Sequence, residues 1–85
     1  MIVLRKIKKA TSNQTIAEPL LGATNGVNRT FTTLQEFNPD KICVFFNGQE
    51  LISPYDFEVV GANEIEFIYI TPESWDVLNV SYEIA

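Results

Sequence analysis

The fold of this 85-residue chain is decided by one stretch, ICVFFNGQEL at residues 42–51. Asn47 and Gly48 both tolerate a positive φ, which a two-residue type I′ turn requires at its two central positions. β-branched and aromatic residues precede the pair, and a short return strand at 49–51 follows it, so the stretch predicts a β-hairpin. Because residues 42–46 are all apolar, we expect a central strand covered on both faces, with Cys43 buried as a small apolar side chain.

Turn residues recur about every eight to twelve residues along the rest of the chain, which is typical of an all-β domain. The stretches between them predict about seven short strands, at residues 2–7, 30–34, 42–46, 49–51, 55–60, 64–70 and 77–83. Turns are expected at 11–15, 38–40 and 61–63, and a loop at 71–76. We therefore expect a small antiparallel β-sandwich, Ig-like or jelly-roll-like.

Apolar and polar residues alternate along three of the predicted strands. The period of two assigns one face of the sheet to Tyr55, Phe57 and Val59, to Ile65, Phe67 and Tyr69, and to Leu78, Val80 and Tyr82. Half-buried strands show this pattern, so these apolar positions are expected to face the core.

The composition offers little for catalysis. The chain has no histidine, the commonest general base and metal ligand, and its single cysteine excludes an internal disulfide. Its four glycines match no phosphate-binding loop. The carboxylates of Asp56, Glu58, Glu64 and Glu66 occupy the polar positions of alternating strands, where they are expected to be solvated. We predict no catalytic residue, no metal site and no cofactor, and hence a protein that is not an enzyme.

The charge is distributed unevenly. Residues 1–30 hold five basic residues against one acidic residue, a net charge of +4, whereas residues 31–85 hold one against ten, a net charge of −9. An acidic body repels phosphates, so we expect no nucleic-acid partner. No stretch approaches the ~20 apolar residues of a membrane span, so we expect no membrane partner either.

The basic N-terminal segment is treated as a separate unit. We assign residues 1–17 to an N-terminal strand or arm and residues 18–85 to the β-sandwich domain. A strand that is apolar and then basic suits addition to the edge of a neighbouring subunit's sheet. The residues expected to make this contact are Ile2, Leu4, Arg5, Lys6, Lys8 and Lys9.

Two aromatic residues beside turns have two interpretations each. Trp75 lies in the predicted loop at 71–76 and either folds back to cap the core or anchors a sugar or a protein partner. Core capping is the plainer interpretation, because a small domain needs its large side chains inside. Tyr55, next to Pro54, presents the same choice.

From Glu18 onward the sequence resembles a small β-sandwich module that recurs in tailed-bacteriophage virion proteins, including tail-fibre, collar and head-associated proteins. The order and spacing of turn and strand residues carry the resemblance: Pro19, Gly22, Asn25-Gly26, Asn28, Thr30-Phe31-Thr32, Val44 to Gly48, Asp56-Phe57, Ile65-Glu66-Phe67, Pro72, Asp76, Leu78, Val80 and Tyr82. The resemblance implies a virion structural protein, either a capsid decoration or cement protein or a head–tail or fibre accessory. Its implied partners are other virion proteins and copies of itself. The alternative is a carbohydrate- or receptor-binding module of a tail fibre, which would contact a host-surface glycan.

The chain departs from the module at two places. The module usually has glycine where Pro54 and Tyr55 stand, and again where Trp75 stands. Both departures add bulk where the module is slim. We therefore name Tyr55 and Trp75 as candidate partner contacts, alongside the residues of the N-terminal arm.

Overall fold

The computed structural model describes residues 14–85, which form two antiparallel sheets and contain no helix. The strands are β1 (Thr15–Pro19), β2 (Thr30–Thr32), β3 (Phe37–Phe46), β4 (Gln49–Glu50), β5 (Phe57–Gly61), β6 (Glu64–Phe67) and β7 (Leu78–Ile84). The four-stranded sheet has the order β1-β7-β3-β4, and the three-stranded sheet has the order β2-β6-β5. The prediction of a small all-β sandwich is confirmed.

The hairpin predicted at Asn47-Gly48 forms. Asn47 and Gly48 have φ values of 51° and 86°, and Phe46 pairs with Gln49 across the turn. The return strand is short, but the amide of Leu51 still donates to the Val44 carbonyl at 2.8 Å. Local turn chemistry therefore sets the register of β3 against β4.

The core lies between the two sheets and is built from alternate residues of their strands. Its fully buried side chains include Phe31, Val44, Phe57, Ile65, Phe67, Val80 and Tyr82. The Phe31 and Phe67 rings meet at a centroid distance of 5.4 Å, which is a favourable tilted arrangement. Each such side chain stabilises the fold by about 1.5–3 kcal/mol through its burial. The inward direction predicted for β6 and β7 is confirmed for Ile65, Phe67, Leu78, Val80 and Tyr82.

β3 differs from its prediction in two respects. The turn expected at 38–40 lies inside the strand, where the register against β7 shifts between Phe37 and Ile42, so that three extra residues bulge out of the ladder. Cys43 was predicted to be buried and is exposed. The strand is interior to its sheet, yet only the face carrying Val44 is covered by the other sheet, and Cys43 points the opposite way.

β1 was not predicted, because the sequence around Thr15 reads as a polar turn. The strand pairs with β7 from Thr15 opposite Glu83 to Pro19 opposite Asn79, so the four-stranded sheet begins before residue 18. Its alternation is hidden because Glu18 takes a position where an apolar residue would be expected. The Glu18 carboxylate accepts hydrogen bonds from the Tyr82 hydroxyl and the Leu34 amide, both at 2.9 Å.

Tyr55 and Tyr69 were expected to face the core, and both are exposed. Alternation assigned them the same face as Phe57 and Phe67, which are buried, but β5 begins at Phe57 and β6 ends at Phe67. The period of two identifies a face of the sheet. It applies only within a strand, and both tyrosines lie beyond the strand ends.

Residues 1–13 lie outside the described part of the chain. The strand predicted at 2–7 and the arm contacts Ile2, Leu4, Arg5, Lys6, Lys8 and Lys9 fall there and stay predictions. From residue 14 to residue 85, no helix has the length and apolar character needed to cross a membrane.

Removing one methyl group from the core should lower stability measurably. Ile65 has no exposed surface, so Ile65→Val should cost about 0.5–1.5 kcal/mol of unfolding free energy. Urea denaturation would show a lower midpoint with an unchanged m value. The same substitution at Ile52, which is 57% exposed, should change stability by less than about 0.5 kcal/mol. Equal effects at the two positions would contradict the assignment of the core.

Candidate functional site

The aromatic side chains divide into two groups. All six phenylalanines are buried or half-buried, and Tyr82 is buried with them. The remaining three, Tyr55, Tyr69 and Trp75, are 71%, 82% and 75% exposed. Each of the exposed three carries a hydroxyl or an indole N–H, so its ring can pack against a partner while its polar atom stays hydrogen-bonded. We call these three residues the aromatic end.

Tyr55 and Tyr69 lie where β5 and β6 leave the three-stranded sheet. Phe57 pairs with Phe67, and one further backbone bond, from the Ile68 amide to the Asp56 carbonyl at 2.9 Å, extends the ladder. The next positions in that register are Tyr55 and Tyr69. The two tyrosines thus come from different loops but from facing positions of one ladder.

The loop before β5 is closed by Asp56. Its carboxylate accepts the Ile52 amide at 2.9 Å, and its own amide donates to the Ile52 carbonyl at 2.7 Å. The segment between them, which carries Tyr55, is therefore held as a compact turn. Fixing its ends limits the freedom that Tyr55 would lose on binding.

Trp75 projects from a turn that Asp76 closes. The Asp76 carboxylate accepts the Glu73 amide at 2.8 Å and the Asn47 side-chain amide at 3.0 Å. The Asp76 amide donates back to the Glu73 carbonyl at 3.0 Å. The hydrogen bonds from Asn47 and from the Glu73 backbone lower the pKa of the Asp76 carboxyl below its ordinary value.

Asn47 links this turn to the β3–β4 hairpin. Beyond its bond to Asp76, its side-chain oxygen accepts the Val77 amide at 2.8 Å, and its backbone amide donates to the Val77 carbonyl at 2.8 Å. The residue that permits the tight hairpin also holds the C-terminal side of the loop that carries Trp75.

A third loop, at residues 21–29, supports the other side of the β6–β7 loop. The Gly26 amide donates to the carbonyl of the buried Pro72 at 2.9 Å, and an Arg29 guanidinium nitrogen lies 3.3 Å from the Ile68 carbonyl. Gly26 has φ 78°, and a Cβ there would stand 2.5 Å from a Glu73 carboxylate oxygen. The Glu73 side chain could turn away from a Cβ, so it is the left-handed backbone of Gly26 that favours glycine where the two loops meet.

The structure brings together two residues that the sequence named and one that it did not. Tyr55 lies on the loop before β5 and Trp75 on the β6–β7 loop, and the backbone bond between Ile68 and Asp56 joins these two loops. The core-capping interpretation of Trp75 is wrong, since the indole is exposed. Tyr69 was missed as a site residue because its alternation with Phe67 indicated the core. The signal that was available is Pro72, which soon after Tyr69 ends any strand interior.

The acidic side chains of this region accept hydrogen bonds from the chain itself, Asp56 from Ile52 and Asp76 from Glu73 and Asn47. Among the described residues, no three histidine, cysteine, aspartate or glutamate side chains are grouped so as to hold a metal ion. On the outer face of the four-stranded sheet, partial shielding and the nearby Glu50 carboxylate raise the pKa of the Cys43 thiol, which therefore stays protonated at neutral pH.

No protein-family model, curated protein or solved structure matches this chain.

Acid should release the Trp75 turn at a pH set by Asp76. A carboxyl group whose pKa is lowered by folding contributes stability that is present above its unfolded pKa, about 3.9, and is lost as the pH falls through the lower folded value. Fluorescence of the single tryptophan should therefore change with a midpoint below about pH 3.9. Far-ultraviolet circular dichroism, measured in parallel, reports whether the sheets stay folded.

Asp76→Asn should remove this transition, because an amide keeps only one of the two acceptor oxygens. Asp40→Asn, an exposed carboxyl on β3 far along the chain, should leave it in place. A midpoint above 3.9, or one unchanged by Asp76→Asn, would show that another group controls the turn.

Proposed function

We propose that this chain is a non-enzymatic structural subunit of a bacteriophage virion, a capsid decoration or cement protein or a head–tail or fibre accessory. It bridges neighbouring subunits, and the aromatic end is the surface with which it holds them. One observation supports this assignment of the contact surface: three exposed aromatic side chains lie on loops that are joined to one another by hydrogen bonds.

Single apolar residues exposed on a surface are normal and do not by themselves indicate a contact surface. The fixed arrangement of the three rings on hydrogen-bonded loops is stronger support. Tyrosine and tryptophan dominate the residues that contribute most to protein interfaces, and they are most effective where they need not be ordered on binding. Asn47, Asp56 and Asp76 supply that order in advance.

The chemistry of the same region supports a mechanical role. The carboxylates of Asp56 and Asp76 each accept backbone amides, which assigns them to holding loops in place. The exposed groups at the aromatic end are three aromatic rings, the two tyrosine hydroxyls and the indole N–H of the tryptophan. Such groups pack and donate hydrogen bonds, as a contact surface requires.

The virion setting rests on the resemblance of residues 18–85 to the phage module. The elements that carry the resemblance are structural here: the Asn47-Gly48 turn, the Asp56 and Asp76 loop closures, and the inward Leu78, Val80 and Tyr82. The departures at Tyr55 and Trp75 fall on two of the three exposed rings of those loops. This coincidence supports a contact particular to this chain.

A second candidate function is a carbohydrate- or receptor-binding module. Exposed tyrosine and tryptophan rings beside the fixed amide of Asn47 and carboxylate of Asp76 are also the groups that stack on and hydrogen-bond to sugar rings. In that case the ligand would be a host-surface glycan.

The bridging function is tested in the phage that encodes the chain. We expect the protein to sediment with purified virions in a constant ratio, and particles lacking it to lose DNA at lower temperature. Trp75→Ala should release it from the particle, with a loss of binding free energy of about 2 kcal/mol or more, about thirtyfold in affinity. Quantitative sedimentation against added purified protein measures this loss.

Ile52→Ala is the matched control, since Ile52 is an exposed aliphatic residue of the Tyr55 loop. It should leave binding within about threefold of the parent. Urea midpoints of both variants separate a lost contact from a lost fold. A chain absent from virions, or one whose Trp75→Ala variant stays bound as tightly as the parent, would refute the proposal.

The glycan alternative predicts a different result. Titrating purified host lipopolysaccharide or wall polysaccharide should then shift the Trp75 emission, and the shift should saturate. The bridging function predicts no saturable shift with either polysaccharide.

A further inference from the structure

The outer edge of β5 is an open sheet edge. β5 (Phe57–Gly61) is the last strand of the order β2-β6-β5, and between residues 14 and 85 no backbone hydrogen bond reaches its outer side. A five-residue unpaired edge is a template for another strand, and proteins usually protect such edges.

The pairing with β6 shows which groups are unpaired. The Ile68 amide bonds to the Asp56 carbonyl, so Asp56 directs its carbonyl toward β6, and Glu58, two residues later in the ladder, directs its amide and carbonyl the same way. Backbone direction alternates along an antiparallel strand. The amides and carbonyls of Phe57 and Val59 therefore face outward along the free edge.

The other edges are better protected. Pro19 lacks an amide hydrogen at the end of β1, and the outer side of β2 is covered by Leu21, which exchanges two backbone bonds with Thr32. β4 is only two residues long. Among the described strands, β5 is the long edge that carries neither a proline nor a covering segment.

The sheet face beside this edge is acidic. Glu58 lies directly opposite Glu66 in the β5–β6 ladder, and Glu64 lies two residues from Glu66 on the same face. Like charges in facing positions destabilise a sheet. Residues 14–85 contain all eleven acidic residues but only Arg29 and Lys41 as basic ones, a net charge of −9. A basic strand at this edge would relieve the repulsion.

From these observations we infer that the edge of β5 accepts residues 2–9 of a second copy of this chain as an added strand. The segment IVLRKIKK is β-branched and carries Arg5, Lys6, Lys8 and Lys9. It matches the edge in charge, and strand addition supplies main-chain hydrogen bonds for affinity. Val59, half-buried at the edge, gains cover from the added strand.

A second copy fits better than the same copy. β1 follows the segment and lies beside β2, as the Leu34 amide bond to Glu18 and the Leu21–Thr32 bridge show, whereas β5 is at the other edge of the three-stranded sheet. The core fills the direct path between the sheets, so the chain would have to follow the surface. A strand added to β5 lies three strand spacings from β2, and crossing these and one sheet spacing needs about 24 Å before side chains are counted. From residue 9 to residue 15 the chain spans at most about 22 Å when extended.

This inference deepens the proposed function, on which it rests, by naming one of the contacts between subunits. An arm on one edge and an acceptor on the opposite edge can join copies reciprocally or in a ring, which suits a subunit repeated by symmetry.

Two charge-reversed forms of the full chain test the contact. One form carries Lys6→Glu and Lys8→Glu in the arm, and the other carries Glu58→Lys and Glu66→Lys on the acceptor. Sedimentation equilibrium should show that each form alone associates at least about tenfold more weakly than the parent, because like charges then face each other. An equimolar mixture should regain association, since each arm meets an acceptor of opposite charge in the other form.

Glu36→Lys with Asp40→Lys is the control for the acceptor form, because it changes the net charge by the same amount and sign at exposed positions away from β5. It should associate as the parent does. Carbodiimide cross-linking of mixed ¹⁴N- and ¹⁵N-labelled parent protein adds a direct readout: links from arm lysines to Glu58 or Glu66 should join differently labelled copies. Links confined to single copies, or association that survives both reversals, would overturn the inference.

These experiments distinguish a failure of the β5 contact from a failure of the proposed function. A chain that is found in virions but shows no arm-dependent association overturns only the β5 contact. A chain that self-associates through the arm but is absent from virions overturns the virion function and leaves the contact standing.

Discussion

Asn47 is the residue on which the rest of the structure depends. Its φ of 51° lets β3 turn directly into β4, while its side chain bonds to Asp76 and Val77 on the next loop. One asparagine therefore fixes a strand register and the position of Trp75 together. Glycine tolerates the same backbone conformation but has no side chain, so it would keep the turn and lose the link. Turn geometry and loop anchoring coincide because the hairpin and the start of β7 lie at the same end of the sandwich.

Features decided by neighbouring residues were predictable from the sequence, and features decided by the second layer were not. The Asn47-Gly48 turn and the inward face of Leu78, Val80 and Tyr82 follow from local conformational preference and from a period of two. Cys43 is different. Whether its face of the sheet is covered depends on where another sheet lies, and a two-layer fold leaves one face of every sheet open.

The difference between local and tertiary features also explains which residues of the candidate site could be predicted. Tyr55 and Trp75 were found as departures from a slimmer pattern, which is a local signal. Tyr69 was not found, because its position in the alternation is that of a core residue. Its exposure goes with the end of β6 at Phe67, which is a consequence of tertiary structure. β1 was hidden for a related reason, since Glu18 occupies an inward position that only its bonds to Tyr82 and Leu34 make acceptable.

The distribution of aromatic residues explains how a small domain can keep such a surface. A domain of this size has a thin core and gains most from burying large side chains, yet three of its ten aromatic residues remain exposed. The net charge of −9 over residues 14–85 opposes non-specific association, so these rings can stay accessible without general aggregation. Repulsion of this kind is selective, because it is reversed for a partner that brings positive charge. A surface of fixed rings on an acidic body therefore favours a specific, basic or neutral neighbour over another acidic face.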